Sequence, residues 1–310
     1  MKPIKIITAT DENYCQHLGV MLQSLIQNNL SKNKLEIYII DGGISKLNKD
    51  KLSSLENDII KIYFLALDEN LYNGFPISHH INKMTYCRIS ISNILDESIE
   101  KILYLDCDLL VLDNIMNLWN IDIQDYCLAA VGNPLIKQRP ELQMPLKSLY
   151  FNGGIMLINL KKWRDNDISE KVFNFINNNI DKIVLWDQDA LNAVLYNQWL
   201  PLHPKWNVQT DFFKIEYRDT SFDKNEFMAA LAKPAIIHFS TSSKPWQYIN
   251  NHPYKARYWQ YLKETPWANF KYTDKTLKSM IVKFLDRYFP RQFVLALQNI
   301  SIKLKGQFYY

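Results

Sequence analysis

The chain has 310 residues, 47% hydrophobic and 13% aromatic, with a formal net charge of +4. That suits one large globular domain with appendages, or two small ones, around a sizeable core. No apolar run is long enough for a helix to span a bilayer, and Met1-Lys2-Pro3 leads into an apolar stretch too short and too interrupted for an export segment.

Lys5 to Ala9 reads as an opening strand, closed by Thr10-Asp11-Glu12-Asn13. A helix is predicted from Tyr14 to about Asn28, with Leu18, Met21, Leu22 and Leu25 on one face. Leu35 to Ile40 is a second strand, Ser45 to Leu55 a helix and Ile59 to Leu65 a third strand. This β-α-β-α-β order predicts an α/β sheet with parallel crossovers. A helix is expected from Thr85 to Leu95, then a strand Ile102-Leu103-Tyr104-Leu105 that runs into Asp106-Cys107-Asp108. Cys127 to Val131 is another strand, and Pro134 to Pro145 reads as a loop or lid over a site. Asn152-Gly153-Gly154 leads into a buried strand from Ile155 to Leu160. Helices are expected over Ile168–Asn178, Gln188–Tyr196 and Pro253–Leu262, with a late strand from Ala235 to Phe239. No internal repeat or low-complexity segment is present. Cys15, Cys87, Cys107 and Cys127 show no C-x-x-C spacing, which points to reduced, mostly buried thiols and a cytosolic chain.

Asp106-Cys107-Asp108 is the most informative run. A buried strand cannot solvate two charges at its end, and neighbouring anions repel. A hard divalent cation takes both carboxylates and leaves room for a ligand's phosphates. The alternative is a solvated strand-to-turn junction. There is no G-x-G-x-x-G and no G-x-x-x-x-G-K, and the chain has only eight glycines, so a metal is the more economical diphosphate partner.

Other candidates carry paired readings. Asp11, Asn13 and Tyr14 follow the first strand, where an α/β sheet binds ligands, and they suit either a nucleoside base or a helix N-cap. Asn152-Gly153-Gly154 admits a sugar close to the backbone or forms a tight turn. In Trp186-Asp187-Gln188-Asp189 one carboxylate caps a helix, or one stabilises positive charge developing on a sugar. His238 is a core histidine or a borderline ligand suited to Mn2+. Lys244 is a solvated loop lysine or a phosphate partner.

Taken together these pieces resemble the family 8 retaining glycosyltransferases, among them bacterial lipopolysaccharide and lipooligosaccharide galactosyl- and glucosyltransferases. The resemblance is carried by Ala9-Thr10-Asp11-Glu12-Asn13-Tyr14, Thr85-Tyr86-Cys87-Arg88, Leu103 through Asp108, Phe151-Asn152-Gly153-Gly154-Ile155, Asn159-Leu160-Lys161-Lys162-Trp163, Asp187-Gln188-Asp189, and His238 through Lys244-Pro245-Trp246. These motifs occur in family order over roughly residues 4–270. The resemblance implies a GT-A (Rossmann-like) mixed sheet flanked by helices over 1–270, with a basic helical tail over 271–310. It implies a UDP-hexose donor, galactose or glucose, a glycan or glycolipid acceptor and no nucleic-acid partner. By matched position, Asp106, Asp108 and His238 hold Mn2+, with Mg2+ as a substitute. Ala9, Asp11, Asn13, Tyr14 and Cys107 receive the nucleotide, and Lys244 neutralises phosphate. Arg88, Asp106, Asn152, Gly153, Asp187 and Gln188 contact the donor sugar, the last two as catalytic candidates, and His80 stands on the acceptor side. The run Ser240-Thr241-Ser242-Ser243 departs from the Gly-Pro often found before the lysine. Same-face attack, with a UDP phosphate oxygen accepting the acceptor's proton, is the expected route to retention.

The positive charge sits in the tail. From Thr273 onward seven bases (Lys275, Lys278, Lys283, Arg287, Arg291, Lys303, Lys305) stand against Asp274 and Asp286, a balance of +5, so the preceding residues sum to −1. Interleaved with Met280, Ile281, Phe284, Leu285, Phe289, Phe293 and Leu297, these bases suit the inner face of a cytoplasmic membrane. A helix packed on the body is the other reading. Two rival functions are a phosphatase, which would place Asp-x-Asp on its first strand, and a non-catalytic UDP-sugar-binding module at the membrane. An acceptor on another cell-surface glycan or glycoprotein is a further alternative.

Overall fold

A computed structural model describes residues 3–29, 33–72, 74–75, 83–136 and 138–288. In chain order the elements are β1 (Ile4–Asp11), α1 (Cys15–Asn28), β2 (Leu35–Gly42), α2 (Lys46–Ser53), β3 (Ile60–Ala66), a 3-10 turn over Lys83–Ser90 and α3 (Ile91–Ile94). There follow β4 (Lys101–Leu105), β5 (Leu109–Val111), α4 (Met116–Trp119), β6 (Leu128–Gly132), β7 (Phe151–Asn159), α5 (Leu160–Asp165), α6 (Ile168–Asn178) and α7 (Trp186–Leu195). The chain continues with β8 (Trp199–Pro201), β9 (Val208–Gln209), α8 (Lys224–Ala232), β10 (Ile236–His238), α9 (Lys255–Leu262) and α10 (Leu277–Tyr288).

Seven strands form one sheet in the order β3-β2-β1-β4-β7-β6-β8, and three form a second, β5-β10-β9. β1, β2, β3 and β4 are parallel, as the alternating strand and helix pattern requires, and β7 enters antiparallel between β4 and β6. Side chains alternate across the large sheet, so successive residues feed two cores. Ile6, Ile37, Leu103 and Leu157 pack into one. Ile7, Ile40, Tyr104 and Met156 pack into the other. Burial on both faces is why these strands read as near-continuous apolar runs.

Three elements differ from expectation. The stretch from Thr85 is a 3-10 turn as far as Ser90, with a single α turn after it. Asn152-Gly153-Gly154 is not a turn but lies inside β7, without a left-handed glycine. Helix α7 begins at Trp186, which holds a left-handed φ of 51° and carries the strain of that conformation.

The chain divides into two units, Met1–Ser242 with Tyr261–Ala268, and Ser243–Gln260 with Asn269–Tyr310. Both sheets belong to the first. In the second, the Tyr248 N–H donates to Asp274 and the Tyr248 carbonyl accepts from Lys283 of α10 at 2.8 Å. Lys255 donates to the carbonyls of Gln247, Tyr248 and Asn250. Burial, helped by Lys283, pulls the Lys255 ammonium down to about 8. No described helix is long and apolar enough to cross a membrane.

Candidate active site

Asp106 and Asp108 flank the point where the chain leaves the large sheet on β4 and enters the small one on β5. Both ends of this passage are pinned by backbone. The Asp106 N–H donates to the Gly154 carbonyl at 2.9 Å, and the Phe239 N–H donates to the Asp108 carbonyl at 3.0 Å. Antiparallel pairing of β10 with β5 sets His238 opposite Leu109. His238 therefore arrives beside the two carboxylates although it is 130 residues further along the chain. Its Nε2 lies 3.4 Å from Asp108 Oδ1 and 3.8 Å from Asp106 Oδ2. Among the described residues these are the one trio of metal-type donors, with ligand atoms all within 4.8 Å of one another.

Gly154 makes room for that convergence. A Cβ on it would lie 2.4 Å from His238 Cε1 and 2.8 Å from Asp106 Oδ2. No real carbon tolerates such contacts, so the second glycine of the motif is there for space and not for backbone conformation. Sequence reasoning singled out Gly153 and passed over Gly154. The paired glycines carry the signal, but neither reading they suggest from sequence, a sugar close to the backbone or a tight turn, is room for His238 and Asp106.

Arg88 joins the carboxylate end to α7. The buried guanidinium lies 2.8 Å from Asp187 Oδ2 and 3.4 Å from Asp106 Oδ1, and it donates to the Gly153 carbonyl at 2.6 Å. Tyr104, whose ring it overlies, donates its hydroxyl to Asp106 Oδ1 at 2.7 Å. Burial works against the Arg88 charge, but Asp106 and Asp187 more than offset it and hold the group charged. Asp187 fares differently. Burial, reinforced by Asp106 and only partly opposed by Arg88, pushes its carboxyl up to about 7. The close contact to Arg88 is off the N–H axis, so Asp187 Oδ2 accepts no hydrogen bond although it is buried. A buried acceptor without a donor is costly, and a hydroxyl-bearing ligand would satisfy it. Beside it, Gln188 Oε1 accepts from Asn152 Nδ2 at 3.2 Å and from the Gly153 N–H at 3.0 Å.

At the end of β1, Asp11 Oδ1 accepts from the backbone N–H groups of Asn13 and Tyr14 at 3.0 and 3.1 Å. Asp11 thus shapes the turn that leads into α1 and is not its N-cap, which is Tyr14, without a side-chain cap hydrogen bond. Burial, with Asp108 next, raises the Tyr14 phenol, which stays protonated. The Cys107 thiol donates to the Ala9 carbonyl at 2.9 Å and lies 3.7 Å from Thr8 Oγ1, so its side chain turns into the protein and ties the Asp-x-Asp passage to β1.

The structure therefore brings together Ala9, Cys107, Asp106, Asp108, His238, Arg88, Asn152, Gly153, Asp187 and Gln188 through direct contacts. Lys244 belongs to the second unit, where its N–H donates to Gln247 Oε1 at 2.9 Å. His80 lies outside the described residues.

Residues 5–250 match the profile of glycosyl transferase family 8. The chain belongs to glycosyl transferase family 8. It is 42% identical over 268 residues to General stress protein A of Bacillus subtilis, a match covering 84% of this chain and 94% of that protein. To the lipopolysaccharide 1,2-glucosyltransferase of Escherichia coli it is 24% identical over 294 residues, covering 92% of this chain and 84% of the relative. Its fold is similar to that of the galactosyltransferase LgtC, solved in complex with donor and acceptor sugar analogs, with a TM-score of 0.74 at 24% identity over 85% of this chain and 96% of that one.

As a family 8 glycosyltransferase with a GT-A fold, the chain presents a donor set suited to a divalent cation. Two carboxylates and one imidazole nitrogen converge at a strand end, and the missing Cβ of Gly154 keeps the space between them open. The four cysteines are buried and unlinked, so none competes for that role through exposure.

Proposed function

We propose that this glycosyltransferase moves galactose or glucose, with retention, from a UDP-hexose to a glycan acceptor of the lipopolysaccharide or lipooligosaccharide core type. The observation that carries the reading is the side-by-side placement of two sets of groups. Asp106, Asp108 and His238 face one another within 4.8 Å, and Arg88 links Asp106 to Asp187 next to Gln188. The first set suits a metal diphosphate and the second suits a sugar. The likeness to a lipopolysaccharide glucosyltransferase and to a galactosyltransferase supports the donor and acceptor classes.

Asp106, Asp108 and His238 would hold Mn2+ in preference to Mg2+, because an imidazole nitrogen is a borderline ligand. When bound, the cation acts as a Lewis acid toward the diphosphate. Cleavage of the C1–O bond leaves its electron pair on the UDP phosphate. The sugar ring becomes positive as that bond breaks. Asp187, in its ionised form, stabilises this charge, while its Oδ2 accepts from a sugar hydroxyl. Gln188 Oε1 already accepts two N–H groups, and an amide oxygen is a poor nucleophile. Attack by the acceptor hydroxyl on the same face, with a phosphate oxygen taking its proton, is therefore the route to retention. Ala9, Asp11, Asn13 and Tyr14 receive the uridine.

The test is UDP release from a panel of UDP-sugars with Mn2+, first without acceptor and then with core oligosaccharides. Turnover of UDP-galactose or UDP-glucose alone is expected. Turnover with glycoprotein acceptors only would replace the core-type acceptor by the alternative, and no UDP-sugar turnover would overturn the donor assignment.

We place the enzyme on the inner face of the cytoplasmic membrane through its tail. Leu277, Met280, Ile281 and Phe284 of α10 are exposed, and Lys275 and Lys278 stand among them. Removal of residues 277–310 is expected to abolish sedimentation with anionic vesicles while UDP release continues. Unchanged sedimentation would refute this placement.

A further inference from the structure

We propose that Asn207 is a positioning residue that presets the tautomer of His238, so that Nε2 is bare where the cation binds. This rests on the metal reading of the Asp106–Asp108–His238 group given above. Asn207 closes the 3-10 turn Pro204–Asn207 and directly precedes β9, whose Gln209 pairs with His238 of β10. It is wholly buried and belongs to no motif singled out from the sequence.

The argument for its orientation starts from backbone, because a backbone N–H only donates. The Gly154 N–H donates to one end of the Asn152 amide at 3.1 Å, which identifies that end as oxygen. The Asn207 amide meets the same oxygen at 2.9 Å, so it presents its nitrogen there. Its other end is therefore oxygen, and it faces His238 Nδ1 at 3.0 Å. An amide oxygen cannot donate, so Nδ1 carries the proton and donates. In the neutral ring Nε2 is then an unprotonated lone pair, aimed toward the carboxylates of Asp106 and Asp108.

A second backbone donor holds the rest of the chain in register. The Gly153 N–H marks Gln188 Oε1 as oxygen, so Asn152 donates to it through Nδ2. Gln188 Nε2 then donates to the Tyr150 hydroxyl at 3.3 Å, which donates to Asp189 Oδ1 at 2.6 Å. Asp189 is held by both Arg139 nitrogens, at 2.7 and 3.3 Å. Every donor points the same way, from His238 to a buried carboxylate. Flipping the amide of Asn152 or Gln188 would leave a glycine N–H without its acceptor, and flipping that of Asn207 would set its oxygen against Asn152 Oδ1. Partners of this kind, which orient a metal-binding histidine through its other nitrogen, alter metal affinity by about 10- to 100-fold when removed.

Three measurements test this. Nitrogen-15 NMR of the metal-free protein, with the His238 ring neutral, is expected to show the Nδ1–H tautomer; an Nε2–H tautomer would overturn the proposal without any variant. Mn2+ binding, read by electron paramagnetic resonance with no donor present, is expected to weaken by about tenfold or more in Asn207→Leu. Asn207→Asp keeps an acceptor at Nδ1 but sets its second oxygen against Asn152 Oδ1, so it is expected to retain more affinity than the leucine variant. Wild-type affinity in Asn207→Leu, or equal loss in both variants, would overturn the role of Asn207 alone. Absence of Mn2+ binding by the unsubstituted protein would overturn the metal reading itself. Thermal melts of both variants separate loss of the site from loss of the fold.

Discussion

Gly154→Ala is the sharpest probe of the strand-end site. The new methyl carbon would stand 2.4 Å from His238 Cε1, 2.8 Å from Asp106 Oδ2 and 3.0 Å from His238 Nδ1. Carbon atoms rest at about 3.5–4.0 Å, so the histidine contact alone is short by about 1 Å. The strand cannot retreat freely, because the Gly154 carbonyl accepts from the Asp106 N–H and its N–H donates to Asn152 Oδ1. The His238 ring and the Asp106 carboxylate must move instead. Overpacking of this kind costs about 1–3 kcal/mol of stability. The effect on metal binding is larger in kind, since ligand distances tolerate only about 0.2 Å. Chemical unfolding, Mn2+ titration by paramagnetic resonance and UDP release read the three consequences separately. A loss of Mn2+ affinity of about tenfold or more is expected, with turnover falling alongside it. Gly153→Ala is the control. Its Cβ would press only on the Arg88 guanidinium, at 3.2 Å, with Arg88 Cδ and Gln188 Cγ at an ordinary 4.0 Å, and metal affinity should be retained. If Gly154→Ala binds Mn2+ and turns over as the wild type does, the three ligands do not converge as described.

Asp108→Asn should abolish Mn2+-dependent UDP release and leave the melting curve nearly unchanged; full activity would remove Asp108 from the metal site. Asp187 predicts a pH dependence. Its carboxyl rises in the folded chain from 3.8 to about 7, so between these values the native state holds a proton that the unfolded state has lost. At 1.36 kcal/mol per unit, this contribution is full below the lower value and about 4 kcal/mol of it is gone once the pH exceeds the upper one. Melts of the metal-free protein should therefore show Asp187→Asn gaining on the wild type as pH rises from 4 to 7, and parallel curves would contradict the shift. Because the ionised form is the one that stabilises the sugar, UDP release should climb through about the same upper pH. Asp189→Leu removes the acceptor shared by Arg139, the Tyr150 hydroxyl and the N–H groups of Val184 and Leu185, leaving Arg139 only Glu141 as its carboxylate partner. A cost of about 3–5 kcal/mol in urea unfolding is expected, and a loss under about 1 kcal/mol would show that Asp189 does not anchor the start of α7.

Much of the architecture was legible because it follows from local pattern. The strands β1, β2 and β3 and the helix α6 stand close to where apolar periodicity puts them, and the buried faces of α1 are the predicted Leu18, Met21, Leu22 and Leu25. A 3-10 turn stands before α3 where the pattern predicts a helix, because both conformations bring residues i and i+3 to one side. Of the two readings of Asn152-Gly153-Gly154, the tight turn does not hold. Paired glycines signal a turn in isolation, and only the antiparallel pairing of β7 with β4 shows that a side chain there would collide with His238 and Asp106.

The residue types of the site were legible alone: two carboxylates one residue apart after a buried strand, with no glycine-rich phosphate loop elsewhere in the chain. The sequence could also offer His238 and Arg88 as partners, through the order of the motifs. It could not supply Asn207, an asparagine after a tryptophan with no pattern around it. Nor could it foretell that burial would lift Asp187 while Arg88 stayed charged between two carboxylates. Composition and periodicity are properties of neighbours along the chain, and they determined the strands, the helices and the chemistry at the strand ends. Which nitrogen of His238 faces the carboxylates depends on hydrogen bonds between residues 31 to 55 positions apart, and only tertiary structure sets those.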